Sequence, residues 1–479
     1  MLFRRATSIS ASPVAAVAGA GPLRGHLAAL EAGMRERGAA AAVRLMDETQ
    51  PAVFEYFRER LDSPVVAQAV TLKVLNLWLA RNHKQARATR VGSRPFVFYI
   101  DPSNSCNLAC PGCVHSKNLK DQNLFDWKPG LLTPSRLEAL LKMYGPCGIY
   151  AGFYNYGDPL VNPQTPKFIR RAKSYLLQTS ASTNLSFPRF DADAYAESGL
   201  DYLILSIDGA TQPVYEKFRK KGKLDFVLAN IAKLVAAKRK RNQRTPLLCW
   251  NFLAFQHNVH EIDAARALAR ELGVDQFAVF NPFDVSWDDP DVRPAGVAPS
   301  SVELNTGSAE ALRANFNPFP EELDATSIER EFNTSWAERL GPGSDGDEKD
   351  TGHTCHYLYK TMVMDAGGRV LPCCCAPAPG RDLVFSEQSD STGNPTDAQV
   401  DHFNSEKHQR ARSYFADPEG YRRESAASHR EQDLYCVNCE WNQENVNFGN
   451  EQLQGYLKRA AAPPTTAFDP ASLELLCNW

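Results

Sequence analysis

The chain of 479 residues has no run of about 18 apolar residues, so it is not expected to span a membrane. It has no excess of one charge: 53 Lys and Arg stand against 56 Asp and Glu, a formal net charge of −3. That balance carries no overall signature of nucleic-acid or anionic-membrane binding. It has no internal repeat, which removes the solenoid and propeller architectures. Its 12 cysteines are too sparse for a secreted disulfide scaffold. Apolar residues at 43% and charged residues at 23% lie near the globular average, so wholesale disorder is not expected. What remains is a soluble chain long enough for two or three domains.

The cysteines that are present are unevenly placed. Tight groups occur at Cys106, Cys110 and Cys113, at Cys373, Cys374 and Cys375, and at Cys436 and Cys439, with Cys147, Cys249, Cys355 and Cys477 apart. Such groups read as metal ligands rather than disulfides. Thiolate ligands need a reducing compartment, so the expected location is cytoplasmic. Arg4 and Arg5 precede an apolar stretch at 14–20 that faintly resembles a signal peptide. The stretch is short, rich in Ala and Gly, and follows Pro13, so a frayed terminus is expected instead.

Residues 1–92 read as a helical N-terminal extension. Leu23, Leu27, Leu30 and Met34 share one helical face, a second helix fits 51–61, and a third opens with Ser63 as cap and Pro64 at its first position. The basic stretch 81–94 reads as a solvated linker. Residues 93–283 alternate strand and helix, with strands expected at 96–100, 148–153, 178–183, 202–208, 247–255 and 276–280. Six βα units in series imply a parallel sheet with helices outside it. The expected fold class is therefore α/β, a partial (β/α)6 TIM-like barrel with a helical N-terminal extension and a small C-terminal domain, which the resemblance described below implies to be an Fe–S auxiliary domain. Residues 284–350 are rich in Asp, Glu, Pro, Gly and Ser and read as a linker with one helix at 328–340. Residues 351–445 form the cysteine-bearing module, and 446–479 a tail.

The segment Cys106-Asn-Leu-Ala-Cys110-Pro-Gly-Cys113 directly follows the first strand. Three thiolates cannot complete a four-coordinate zinc site unaided. They can hold three irons of a [4Fe–4S] cluster and leave one open. A loop at the C-terminal end of a strand is where β/α arrays put chemistry.

This C-x3-C-x2-C spacing, in this position, resembles the signature of the radical S-adenosylmethionine (SAM) superfamily. In that family the open iron binds the amino and carboxylate groups of SAM, and reductive cleavage yields a 5′-deoxyadenosyl radical that abstracts a hydrogen atom. Further echoes follow in order. Tyr156-Gly157-Asp158-Pro159, after the second strand, is similar to the Gly-Gly-Glu-Pro element that binds the SAM amino group, with Asp for Glu and Tyr for the first Gly. Ser182-Thr183-Asn184 resembles the element beside SAM after the third strand, and Ser206-Ile207-Asp208-Gly209 the one at the fourth. Asn258 and Glu261 match an Asn-x-x-Glu helix start of structural character. Gly112 stands where many members carry an aromatic residue near the adenine. The resemblance implies SAM, a [4Fe–4S] cluster and a protein reductant such as flavodoxin or ferredoxin.

A second pattern is Cys355-x12-Gly368-x4-Cys373 … Cys436-x2-Cys439, with a hairpin expected at 362–371 turning at Ala366-Gly367-Gly368. Four thiolates suffice for a closed [4Fe–4S] cluster, and zinc suits them too. The pattern resembles the front of a SPASM domain, in its shortened twitch form with one auxiliary cluster. Cys374 or Cys375 could replace Cys373 as ligand. The twitch resemblance implies oxidation or epimerisation of a carbinol carbon in a sugar-like or other hydroxylated small molecule.

Epimerisation needs a hydrogen donor that ligates no metal. Cys249, on the fifth strand, is a candidate, although a buried cysteine is also an ordinary core residue. Cys147 is expected to be inert. Asn155, Asn251 and Asn281 could bind hydroxyls or simply cap turns, and Asp284 or His257 could accept a proton. The basic runs 217–223 and 238–244 read as solvated surface rather than a nucleic-acid site. Two rival readings stand beside this one: a maturase acting on a peptide or protein, and a non-catalytic zinc or Fe–S scaffold.

Overall fold

The structure, a computed structural model, describes residues 22–116, 129–282, 289, 291–336, 338, 355–374, 384, 386–387, 401–428 and 434–438. The reading of the N-terminus and the positions Asp284, Cys375, Cys439 and Cys477 lie outside the described residues.

Six parallel strands form the centre: β1 Val97–Ile100, β2 Tyr150–Phe153, β3 Gln178–Thr183, β4 Tyr202–Ser206, β5 Leu247–Leu253 and β6 Gln276–Phe280. They lie side by side in chain order, each joined to the next by a helical crossover. Alternation along β5 sorts its side chains. Leu248, Trp250 and Phe252 join the core beneath the outer helices, which leaves Cys249, Asn251 and Leu253 on the inner face. In β4, Leu203 and Leu205 face the helices, and Tyr202, Ile204 and Ser206 face inward. The sheet stays open. β7 Ser300–Glu303 closes one side antiparallel to β6, and all four of its residues are exposed.

The other side continues further than the sequence suggests. The hairpin appears as β8 Thr361–Met364 and β9 Arg369–Leu371, with Gly368 at φ 86° in the turn. The Asp365 carboxylate accepts from Arg369 N (2.9 Å) and Arg369 Nε (2.7 Å) across that turn. β8 pairs in parallel with β1, Val97 opposite Thr361 and Ile100 opposite Met364. β10 Ser386–Glu387 follows β9 at the edge. These residues therefore extend the central sheet rather than standing beside it.

The N-terminal helices also differ from expectation. The segment expected as a separate helix at 51–61 is the last part of α1 Pro22–Arg58, which bends at Gly38 (φ 74°, ψ 174°) and carries Pro51 inside it. A proline removes one donor without ending the helix here, because Val53 and Phe57 are fully buried in the next turns. α2 Pro64–Gln85 starts as expected after Ser63. It is apolar on nearly every side, which marks a central helix, and it shares a core with Val97, Tyr99, Tyr150 and Val363 from the inner face of the sheet. Its buried Lys73 donates to the carbonyls of Gly145 (3.3 Å), Tyr175 (2.9 Å) and Gly148.

The expected linker is also structured. It holds β7 and the helices Ser308–Ala314 and Ala325–Phe332. The latter starts three residues before the expected 328, because the Asp324 side chain caps it by accepting from Ser327 N (3.0 Å).

Candidate functional site

The loop after β1 is fixed from below by Asp101. This buried carboxylate accepts from the backbone N–H groups of Tyr156 and Gly157, both at 3.2 Å. Ser105 O accepts from Asp158 N at 2.9 Å. A Cβ on Gly157 would sit 1.8 Å from Ser103 O, so no other residue fits where the two loops touch. Burial raises the Asp101 pKa well above the carboxylate range, against the pull of the two N–H donors.

Asp158 then joins the second loop to the third. Its carboxylate accepts from Thr183 Oγ1 (2.9 Å), Asn184 N (2.9 Å), Asn184 Nδ2 (2.7 Å) and Leu160 N (2.9 Å). Both oxygens are engaged, so this side chain acts as an organiser of the loops. Burial raises its pKa to about 6, opposed by the Asn184 and Leu160 N–H groups. Asn184 Nδ2 also reaches Asn107 Oδ1 (2.9 Å) and lies 3.7 Å from Cys106 Sγ. Pro159 begins the short turn Pro159–Val161 that Asp158 caps. Ser182 Oγ is 3.4 Å from Ser206 Oγ, and Ser206 pairs with Asn251 in the sheet.

Asp208 is the fourth tie. It accepts from Leu253 N (2.7 Å), pairs with Arg219, and offers its backbone carbonyl to Asn258 Nδ2 (3.0 Å). Glu261 accepts from Ala210 N (2.6 Å) and Thr211 N (3.1 Å), so the Asn-x-x-Glu pair is structural. The basic run 217–223 is thus not wholly solvated. The Arg219 side chain is only 13% exposed, and its charge also acts on Cys110. Lys238 in the second run is likewise buried, 3.1 Å from Asp275.

Cys106, Cys110 and Cys113 all pack on one small apolar cluster of Leu108, Phe218, Phe255 and Val292. Cys113 N donates to Cys110 O at 3.1 Å, a turn that Gly112 completes at φ 70°. That backbone region favours glycine, which accounts for Gly112 at a position where the resemblance leads one to expect an aromatic. Burial pushes the Cys106 and Cys110 thiols up to about 12. Thiolates there need a strong positive partner, which an iron cluster provides. Three soft donors, one short of a closed site, fit a [4Fe–4S] cluster with an open iron.

The second cysteine group is arranged differently. Cys355 and Cys436 pack on the core under the outer helices, whereas Cys373 and Cys374 pack on the core around α2. Cys374 Sγ is 3.3 Å from Tyr357 Oη. Among the described residues, Cys106, Cys110 and Cys113 included, no three Cys, His, Asp or Glu side chains converge as ligands of a single metal ion. Cys147 is buried 3.8 Å from Glu331 Oε1.

Cys249 is buried on the inner face beside Lys238 and Asp275, and burial pushes its thiol up to about 12. It stands four residues before the end of β5, roughly 13 Å below the rim at the usual strand rise. His257 lies at that rim, half-buried and stacked on Phe255 with centroids 5.5 Å apart. Burial lowers its pKa, helped by Lys217. Asn281 Nδ2 donates to Val297 O (2.6 Å), so this side chain serves the loop. Asn155 Nδ2 is buried without a hydrogen-bond partner among the described residues.

Sequence reasoning missed Asp101, Arg219 and His115, whose Nε2 lies 2.8 Å from Tyr156 O. Asp101 directly follows β1, and this position next to the cysteine loop was the available signal. Nothing in the local sequence distinguished Arg219 from its basic neighbours.

Residues 100–267 match the sequence family described as the Radical SAM superfamily. The PqqA peptide cyclase of Gluconobacter oxydans is 25% identical over 225 residues, 46% of this chain and 59% of that protein. A probable GTP 3′,8-cyclase of Pyrococcus horikoshii is 28% identical over 134 residues, 28% of this chain and 41% of that protein. The chain thus spans about half the length of these relatives. Streptococcus suis SuiB bound to the precursor peptide SuiA aligns with a TM-score of 0.41 at 15% identity, over 72% of this chain and 71% of that one.

Proposed function

We propose that the chain, whose residues 100–267 match the Radical SAM superfamily, is a radical SAM enzyme that abstracts a hydrogen atom from a carbinol carbon of a hydroxylated small molecule, leading to epimerisation or dehydrogenation. Cys106, Cys110 and Cys113 would hold the [4Fe–4S] cluster. When bound, a cluster there would supply the electron for reductive cleavage of SAM. Asp101 and Asp158 keep the loops after β1, β2 and β3 in register around the cofactor. Arg219 brings a cation to Cys110, which offsets thiolate charge in a buried place.

The observation that carries the substrate reading is the polar inner face at the ends of β3, β4 and β5. Ser182, Ser206 and Asn251 are half-buried neighbours there; the resemblance gives the two serines to the SAM side, which leaves the Asn251 amide beside them as a partner for a substrate hydroxyl. Loss of a proton and an electron from the substrate radical gives dehydrogenation. Return of a hydrogen atom from a thiol gives epimerisation, with Cys249 as the donor in this chain. In the first case the electron needs an acceptor; the resemblance implies an auxiliary [4Fe–4S] cluster on Cys355, Cys373, Cys436 and Cys439, but Cys355 and Cys436 pack on one core and Cys373 on another, so an external oxidant such as oxidised flavodoxin is the alternative acceptor. A second reading, modification of a peptide, is favoured by the 225-residue match to the PqqA peptide cyclase.

The test is turnover of a panel of polyhydroxylated compounds in deuterated water, with SAM and dithionite under anaerobic conditions. The reading expects enhanced 5′-deoxyadenosine formation with such a compound. Solvent deuterium in the product signals epimerisation, and a ketone without solvent label signals dehydrogenation. Stimulation by peptides and not by any polyol would overturn it.

A further inference from the structure

Asn184 is buried, and both polar atoms of its side chain are committed to the protein. Its Oδ1 accepts from Ser186 N at 2.8 Å. That bond fixes which way the amide faces, so Nδ2 points to the other side. There Nδ2 meets three acceptors: Asp158 Oδ2 at 2.7 Å, Asn107 Oδ1 at 2.9 Å and Cys106 Sγ at 3.7 Å. Its two hydrogens serve three acceptors, so one of them is shared between Asn107 Oδ1 and Cys106 Sγ. An ionised sulfur is the stronger acceptor of that pair. Once Cys106 is a thiolate ligand, the shared hydrogen turns toward the sulfur.

The backbone is bent to hold this amide in place. Leu185, the next residue, is fully buried at φ 55°, a region that leucine rarely adopts. Asn230, on the helix Leu224–Lys240, secures the turn by donating from Nδ2 to Leu185 O (3.1 Å) and Phe187 O (2.8 Å). The same loop clamps Asn107, whose Nδ2 donates to Ser186 O at 2.8 Å. The Asn107 Oδ1 is thereby held 3.8 Å from Cys106 Sγ. One amide presents a donor to this sulfur and the other presents an oxygen. Leu108 N is a further donor to it, at 3.5 Å.

We propose that the opposed side-chain amides of Asn184 and Asn107 set the reduction potential of the iron–sulfur cluster by acting through Cys106. The inference rests on the reading of Cys106, Cys110 and Cys113 as cluster ligands. A hydrogen bond to a ligating sulfur stabilises the more negative, reduced state and so raises the potential. Asn184 therefore raises it. Asn107 lowers it, because its oxygen faces the sulfur and competes for the shared hydrogen. The opposite signs separate this role from a general hold on the loop, which the loss of either amide would weaken alike.

The test is the midpoint potential of the anaerobically reconstituted full chain, read from the EPR signal of the reduced cluster in samples poised at stepped potentials. The native protein, Asn184→Ala and Asn107→Ala are compared, with iron content measured on each. Asn184→Ala should shift the potential downward by about a tenfold change in the one-electron equilibrium, roughly 59 mV. Asn107→Ala should shift it upward by a smaller amount, and it decides the matter if Asn184→Ala fails to retain iron. Unchanged potentials in iron-loaded variants, or shifts of the same sign in both, would overturn the inference and leave the cluster assignment standing. Loss of iron from both variants would also overturn it, since the pair would then serve to hold the loop. A native chain that binds no cluster would overturn the cluster assignment and this inference together.

Discussion

Cys106, Cys110 and Cys113 occupy one loop, pack on one apolar cluster, and are flanked by loops tied together through Asp101, Asp158 and Asp208. Cys355, Cys373 and Cys436 come from three segments and pack on two different cores. The first group needs only short spacing and a fixed strand end to come together. The second needs residues some 60 to 80 positions apart to close on each other, which costs chain entropy that only a completed site repays. The lesson is that adjacency in sequence keeps one set of cysteines on a common loop and apolar cluster, whereas the other set is spread over two cores.

The largest effect that sharpens this contrast is on SAM cleavage. On the proposed reading, Cys110→Ala should reduce 5′-deoxyadenosine formation by about a thousandfold or more, since Cys110 would be a ligand of the cluster that supplies the electron. Cys436→Ala should leave it within a few-fold. Equal loss in both would erase the distinction.

Next comes the ion pair beneath the first loop. Arg219→Gln strands the buried Asp208 carboxylate and should cost about 3–5 kcal/mol of stability by denaturant unfolding. A change below about 1 kcal/mol would show that the ties do not hold the loop. Gly157→Ala forces a Cβ to within 1.8 Å of Ser103 O, and a loss of about 1–3 kcal/mol is expected. Cleavage should fall with it, because both loops must move.

The smallest expected effect concerns Lys73, under the same half of the sheet. Burial lowers its pKa to about 7 from an unfolded value of 10.5. Between those two values the unfolded chain binds more protons, so this group makes stability rise with pH above about 7. Lys73→Met should remove that rise between pH 7 and 9 while lowering stability overall, because three backbone carbonyls lose their donor. An unchanged pH slope would mean that Lys73 stays charged within its carbonyl cage.

Much of the first site was legible because its determinants are local. The six strands appear where apolar alternation set them, and the cysteine loop follows β1. Ser63 and Pro64 announce α2, and Gly368 announces the turn of the hairpin. The rest depends on distant pairing. Nothing near Thr361 indicates that β8 will lie parallel to β1, some 260 residues earlier. Arg219 hides within a basic run and is distinguished only by the burial of Asp208. The all-round apolar character of α2 was visible, but the inner face of the sheet that it fills is an outcome of the fold.

The most direct test of the central claim is anaerobic reconstitution of the native chain and of a variant with Cys106, Cys110 and Cys113 all changed to Ala, followed by measurement of 5′-deoxyadenosine with SAM and dithionite. The account predicts product from the native chain and none from the variant. Product in equal amount from both would contradict the assignment of these three cysteines to the SAM-cleaving cluster.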